Sequence, residues 1–312
     1  MKFVNKLLPL LICLVYATMS FADGLYSAAY GDKGNPAIIF LHGGPGYNCF
    51  SFEASTAERL AAEGYYVLVF DQRGCGRSEE PEGSKYDFTE AVADMKGVYE
   101  KYGLSKATLI GHSWGGALGV VFAERNPDMV KELVLVGAPM DYQQSFKAII
   151  AHSKRDYVKA GKEDQLRYIQ LLETMDTTSL DYATYCFMHA MASGQYQTEK
   201  PAEGVVALYT SMMKMPDAKQ LRNMTQPPVK GFYDNEQYTT LKLYDRLKEL
   251  KNKVPVYGMF GNEDGLFDKV QLDNIKASIG DDNFAIVQNA SHSVFVDQQD
   301  EFLKLLKGYM GR

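Results

Sequence analysis

Cysteine is scarce in this chain of 312 residues, which carries only Cys13, Cys49, Cys75 and Cys186, at irregular spacing. Without a Cys-x-x-Cys pair or a histidine-rich tract, the pattern points to no metal site and no disulfide framework. One optional disulfide joining Cys49 and Cys75 stands against the simpler expectation of three small buried thiols in the mature chain. Positive charge is also in short supply. The 33 lysines and arginines face 39 acids, a net charge of −6, which excludes a simple electrostatic nucleic-acid binder. Internal repeats and low-complexity tracts are missing, and beyond the N-terminus no apolar run approaches membrane-spanning length. What remains, 46% apolar and 23% charged residues, suits one large α/β domain or a core domain with an insertion.

The first 22 residues stand apart from the rest. Lys2 and Lys6 make a basic start, Leu7 to Met19 is apolar, and Ser20-Phe21-Ala22 fits a small-x-small cleavage site. An N-terminal signal peptide over 1–22 implies export to a periplasmic or extracellular compartment, with no stable membrane insertion once it is cleaved. Cleavage removes two lysines and no acid, taking the net charge from −6 to −8.

After it the chain alternates. Buried strands are expected over Ala37–Leu41, Tyr65–Phe70, Ala107–Ile110, Glu132–Val136, Val254–Phe260 and Phe284–Gln288. Helices are expected over about Phe52–Glu63, Thr89–Tyr102, Ala117–Arg125, Leu241–Leu250, Lys269–Ser278 and on to Tyr309. Nearly continuous apolar strands separated by helices imply a mostly parallel sheet covered on both faces, with ligands at the carboxyl ends of its strands. From 140 to 244 no strand-like run is visible, and the segment reads as a helical cap inserted between core residues 23–139 and 245–312. Pro216, Pro227 and Pro228 divide it into two lobes, and Tyr182, Tyr185, Phe187, Tyr209, Phe232, Tyr233 and Tyr238 are available for a pocket or for cap packing.

The chain is organised around Ala107–Asn126, which contains Gly111-His112-Ser113-Trp114-Gly115. A strand that turns sharply into a helix holds the serine at its apex exposed, and glycines two residues to either side leave room for the turn. A serine hydroxyl needs a base, and the base needs a carboxylate to orient it. His292 is the one histidine beyond the cap, and it follows the final strand. Three acids follow the preceding strand. Asp264, just after Gly261, is best placed; Asp268 is as well explained as a helix N-cap, and Glu263 is expected to face solvent. The oxyanion donors are the amides of Trp114 and Gly44, since Pro45 has none to offer. His42 and His112 are expected to hold loops in place.

His42–Gly46 as H-G-G-P-G, Asp71–Ser78 as D-Q-R-G-C-G-R-S and Gly111–Gly116 as G-H-S-W-G-G resemble the α/β-hydrolase superfamily, and within it the proline iminopeptidase group. The resemblance covers most of Ala37–Pro139 and the closing Gly261–His292 segment. It implies an α/β-hydrolase fold, a Ser113, Asp264, His292 triad, no metal or organic cofactor, and removal of an N-terminal residue, often proline, from small peptides. Members hold the substrate's free amino group with cap glutamates. Their usual Trp-Glu pattern is absent here, and Asp268 stands where proline is common. Glu173, Asp176, Asp181, Glu199, Glu203, Asp234 and Glu236 are the carboxylates available. Glu173, Glu199 and Glu203, with Tyr185, are the candidate substrate contacts. A carboxylic ester or other acyl hydrolase, with a small ester or amide as substrate, is the alternative. A non-catalytic hydrolase-fold binding protein is a third reading.

The export expectation is open to a direct check. Mass spectrometry of the exported chain should find Asp23 as its first residue, and a chain that retains Met1 would overturn the cleavage site.

Overall fold

In the computed structural model, the described residues are 24–216, 218 and 222–311, so the signal-peptide expectation over 1–22 lies outside them. Seven strands form one sheet: β1 Ser27–Tyr30, β2 Ala37–Leu41, β3 Tyr66–Phe70, β4 Ala107–His112, β5 Val130–Val136, β6 Val256–Gly261 and β7 Phe284–Val287. Their order is β1-β3-β2-β4-β5-β6-β7. β1 runs antiparallel to β3, and every other pairing is parallel. β3 and β4 are buried along their whole length, as strands covered on both faces must be.

Local chemistry sets the helix ends. Asp87 caps the helix Phe88–Tyr102 by accepting from the Glu90 amide, and Gly103 stops it in the left-handed region at φ 67°. The helix Trp114–Arg125 is buried over nearly all its length, which explains why it is apolar all round rather than amphipathic. Most boundaries shift by one to three residues from expectation, and two of the differences are informative. The stretch 50–62 is a helix with a π-turn at Glu53–Ala57, which brings the Thr56 hydroxyl within 3.0 Å of the Phe295 carbonyl. β5 begins at Val130, two residues early, because Val130 already pairs with Ala107 of β4, and Glu132 is kept in the strand by the Thr108 hydroxyl at 2.7 Å.

Between Tyr142 and Glu236 the described chain is helical, over Tyr142–Lys159, Glu163–Leu172, Leu180–Ala192, Glu203–Met212 and Gln226–Glu236. The helix Glu203–Met212 ends before the stretch that contains Pro216, Pro227 and Pro228, and a new helix starts at Gln226. Pro227 and Pro228 occupy the first turn of the helix Gln226–Glu236, where a missing N–H costs nothing. The segment leaves and rejoins the core through a narrow neck, with Tyr142 N–H on the Leu241 carbonyl at 3.1 Å and Leu243 N–H on the Met140 carbonyl at 2.7 Å. The fully buried Trp114 ring meets Phe232 at 4.8 Å, Phe88 and Tyr238 at 5.7 Å, and Tyr142 at 6.3 Å. The residue after Ser113 is thus the pillar on which the helical segment rests. Among the described residues no helix is long and apolar enough to cross a membrane.

Close approach of β2 to the helix Trp114–Arg125 depends on glycine. A Cβ on Gly115 would lie 2.0 Å from the Leu41 carbonyl oxygen, whereas one on Gly34 meets nothing. Gly115→Ala should therefore cost about 3 kcal/mol of unfolding free energy, and Gly34→Ala less than about 0.5, measured by urea denaturation.

Candidate active site

Ser113 sits where β4 ends and the next helix begins, at φ 52° and ψ −123°. That conformation crowds a Cβ, and the surrounding packing holds it. Ser113 N–H donates to the Val136 carbonyl at 3.0 Å, and Gly116 N–H returns to the Ser113 carbonyl at 2.9 Å. A Cβ on Gly111 would lie 2.7 Å from the Gly115 carbonyl oxygen, so the turn closes only with glycine there. Trp114 opens the helix, and its N–H has no intrahelical acceptor. Gly43, on the loop after β2, lies so close that a Cβ there would be 3.0 Å from Ser113 Cβ. Gly44 follows at φ 137° with a cis bond to Pro45.

The histidine and acid meet as expected. His292 Nδ1 and Asp264 Oδ2 are 2.8 Å apart, and both residues are 5% exposed, so the pair is shielded from water. The second Asp264 oxygen accepts from the Leu266 amide at 3.1 Å, which fixes the carboxylate's rotation. Asp268 does not join them. It caps the helix Lys269–Ile279 through the Gln271 amide at 2.7 Å and accepts from Gln144 Nε2 at 2.9 Å. Glu263 is half-exposed, and its carboxylate accepts the Glu199 amide at 2.7 Å in a solvent-exposed contact. Two contacts place the pair against His112 and Gly137, the chain neighbours of Ser113 and of its partner Val136. His112 Nε2 donates to the His292 carbonyl at 3.1 Å, and Gly137, next to Val136, leaves only 3.2 Å between a would-be Cβ and His292 Nδ1.

The two other histidines of the site support loops. Gln72 N–H donates to His42 Nε2 at 2.8 Å, which leaves Nδ1 to donate to the Gly43 carbonyl at 2.7 Å. Burial holds His42 below its usual pKa, and burial together with neighbouring His292 does so more strongly for His112. Both therefore stay neutral. The D-Q-R-G-C-G-R-S loop braces this arrangement. Burial opposes the charge on Asp71, but Arg77 Nε at 2.8 Å and the Cys49 amide at 2.8 Å hold the carboxyl below its ordinary range. Cys49, Cys75 and Cys186 are free, buried thiols, so the optional disulfide does not form, and burial pushes Cys75 and Cys186 up to about 12.

The candidate substrate contacts on the helical segment are not assembled at the triad. Glu173 pairs with Lys154 at 2.5 Å on the surface, and Tyr185 is 47% exposed in an outer groove with Tyr168 and Leu171. Glu199 and Glu203 are exposed; Glu199 contributes its backbone to the Glu263 contact, and Glu203 lies in the first turn of its helix. Tyr182, Phe232 and Tyr238 are packing residues. Three groups that do lie at the site escaped the sequence reading. The Tyr196 ring meets His292 edge-on at 5.1 Å. Gln195, its neighbour, touches both loops of the pair. Asp297 is 6% exposed, accepts the Ser291 amide at 2.8 Å and lines a groove of about 530 Å³ with Thr198, Val206, Tyr209 and Met213. Only Asp297 had a signal, an acid five residues after the histidine. Among the described residues no group of three metal-ligating side chains converges.

A serine on a strained strand-to-helix turn, a buried acid–histidine pair and the amides of two glycine-rich loops make a site suited to acyl transfer. The chain belongs to the α/β-hydrolase fold family, whose family model matches residues 36–299. Within that family it is similar to the proline iminopeptidase of Saccharolobus solfataricus, with 26% identity over 93% of this chain and 90% of that one. It is 25% identical to epoxide hydrolase 3 of Xenopus tropicalis, over 90% of this chain and 73% of that protein. A solved proline iminopeptidase-related protein from Thermus thermophilus shares the fold, with a TM-score of 0.68 at 19% identity, over 92% of this chain and 93% of that one.

Asp297 supplies a pH dependence. Burial raises its pKa to about 6; the Ser291 amide and His292 pull the other way, Glu263 and Asp264 with burial. The fold therefore prefers the protonated carboxyl, and its contribution is present below the ordinary value of 3.8 and lost as pH rises through about 6. Asp297→Asn should raise unfolding free energy by about 2 kcal/mol at pH 7.5, a gain that disappears near pH 4. Urea melts at the two pH values test this; a loss of stability at pH 7.5 would show that the amide bond outweighs burial.

Proposed function

We propose that the protein is a serine hydrolase that removes an N-terminal residue, of the proline type, from small peptides after export. The observation that carries the hydrolase reading is the buried 2.8 Å contact between His292 and Asp264 beside a serine held at positive φ. In this reading Ser113 Oγ attacks the scissile carbonyl while His292 Nε2 takes its proton, and Asp264 holds the imidazole with Nδ1–H inward. Negative charge moves to the carbonyl oxygen, where the amides of Trp114 and Gly44 meet it. Collapse expels the amine, which carries off the proton from His292 and leaves an acyl-Ser113 ester. Water, deprotonated by the same histidine, repeats the attack and frees the acid and the serine. No metal or organic cofactor enters these steps.

The peptide part of the proposal is supported by H-G-G-P-G with D-Q-R-G-C-G-R-S and by relatives named proline iminopeptidase. Two observations favour the second reading, an ester or other acyl hydrolase. Glu173 is bound to Lys154, and Pro201, Val206, Tyr209 and Met213 give the groove beside Asp297 an apolar wall.

A substrate panel separates the two. Proline- and alanine-arylamides with a free amine should be cleaved, and their N-blocked forms at least about 100-fold more slowly, as expected of a site that hydrogen-bonds a free amine and rejects an analogue lacking it. Faster turnover of blocked amides or short nitrophenyl esters would replace the aminopeptidase reading by the esterase one. Ser113→Ala should abolish covalent labelling by a fluorophosphonate.

A further inference from the structure

The turn 193–197 of the helical segment reaches past the groove and touches both loops that carry the acid and the histidine. The carbonyl oxygen of Gln195 accepts the Gly265 amide at 3.1 Å and the Ser291 hydroxyl at 3.3 Å. Gly265 follows Asp264, and Ser291 precedes His292. One oxygen atom therefore joins the two loops at the residues adjoining the triad. The Gln195 side chain is the root of this contact. It is 5% exposed, and its Nε2 reaches Ser153 Oγ and Ser193 Oγ at 2.8 Å and the Ile149 carbonyl at 3.1 Å. Ile149 and Ser153 belong to the helix Tyr142–Lys159, so the turn is fastened to the helical segment and not to the core.

Further contacts clamp the acid loop from the same side. His152 Nδ1 donates to the Gly265 carbonyl at 2.8 Å, so both polar groups of Gly265 are bound by residues of the inserted segment. A Cβ on Gly265 would come within 2.5 Å of the Gln195 side chain, a contact only glycine permits. On the other flank of Asp264, Glu263 accepts the Glu199 amide at 2.7 Å. The Tyr196 ring closes over His292 edge-on at 5.1 Å.

We propose that Gln195 is a positioning residue: it couples the seating of the helical cap to the alignment of Asp264 with His292, so that the cap completes the triad as well as covering it. The proposal rests on the serine-hydrolase reading but not on whether the substrate is a peptide or an ester. A cap that lifts withdraws the Gln195 carbonyl from both loops at once, and one that reseats over substrate restores it. Misalignment of reacting groups by about 1 Å costs on the order of 100-fold in rate. Loosening the staple should therefore show in kcat rather than in substrate affinity.

The test uses the full chain, the best nitrophenyl ester or arylamide of the panel, and fluorophosphonate labelling of Ser113. Gln195→Met keeps the side-chain length and deletes the amide anchors. It should lower kcat and the labelling rate together by about 10- to 100-fold, with KM within about twofold. Ser291→Ala removes only a hydroxyl and should lower kcat by about fivefold; should Gln195→Met fold poorly, this variant carries the test. If both act through one carbonyl, the double variant should be little slower than Gln195→Met alone. Unchanged kcat in Ser291→Ala, losses that multiply in the double variant, or a rise in KM at constant kcat would overturn the positioning role. A wild-type protein labelled at a residue other than Ser113 would instead overturn the serine reading on which it rests.

Discussion

Everything at the candidate site depends on how closely the helix Trp114–Arg125 approaches the strand ends around it. Ser113 can be held at φ 52° only because the chain reverses between β4 and the following helix with no side chain in the crossing. Gly111, Gly115 and Gly116 each face an atom that a Cβ would meet at 2.7 Å or less, belonging to the Gly115 carbonyl, the Leu41 carbonyl and Ala138. The same approach sets the next contacts outward. Gly43 abuts Ser113, His112 donates to the His292 backbone, and the Val136 carbonyl takes the serine amide. Strain at one residue is thus sustained by packing at several others.

A second layer keeps the loops around this turn from relaxing. Asp71 would be costly as an isolated buried charge, yet Arg77 and the Cys49 amide satisfy it. Arg77 in turn stacks on Tyr26 at 3.4 Å and pairs with Glu53 at 2.8 Å. Gln72, from the same loop, takes the acceptor nitrogen of His42 and binds the His42 carbonyl, so the first strand loop is locked to the second. The motif Asp71–Ser78 therefore serves the site by bracing the glycine loop beside Ser113; it supplies no reacting group itself.

The inserted helices are built into the site more deeply than a cover would be. Trp114, adjacent to the serine, is their anchor through Phe232, Tyr238 and Tyr142. At the opposite end they hold the acid loop through Gln195, His152 and Glu199. The helical segment and the core thus share contacts on both sides of Ser113 and of the Asp264–His292 pair.

The sequence by itself determined the elbow at Ser113 and the parallel sheet, because each follows from a short-range pattern, and it favoured Asp264 over Asp268 as the partner of His292 without deciding between them. Apolar runs mark strands, and glycines mark the crossing; the direction of the Asp264 carboxylate is set by the Leu266 amide and His292 in the folded chain. The N-cap role of Asp268 was legible as another short-range pattern. Only the tertiary structure decided that Glu173 is spent on Lys154, that Tyr185 faces outward, that Glu263 binds the Glu199 amide, and that Gln195, Tyr196 and Asp297 attend the histidine. Those relations join residues from 6 to 96 positions apart through single hydrogen bonds and ring contacts. Such contacts have no periodicity to read. They exist because a helical insertion, anchored on one tryptophan, comes down on the loops of a sheet whose order the local signals had already set.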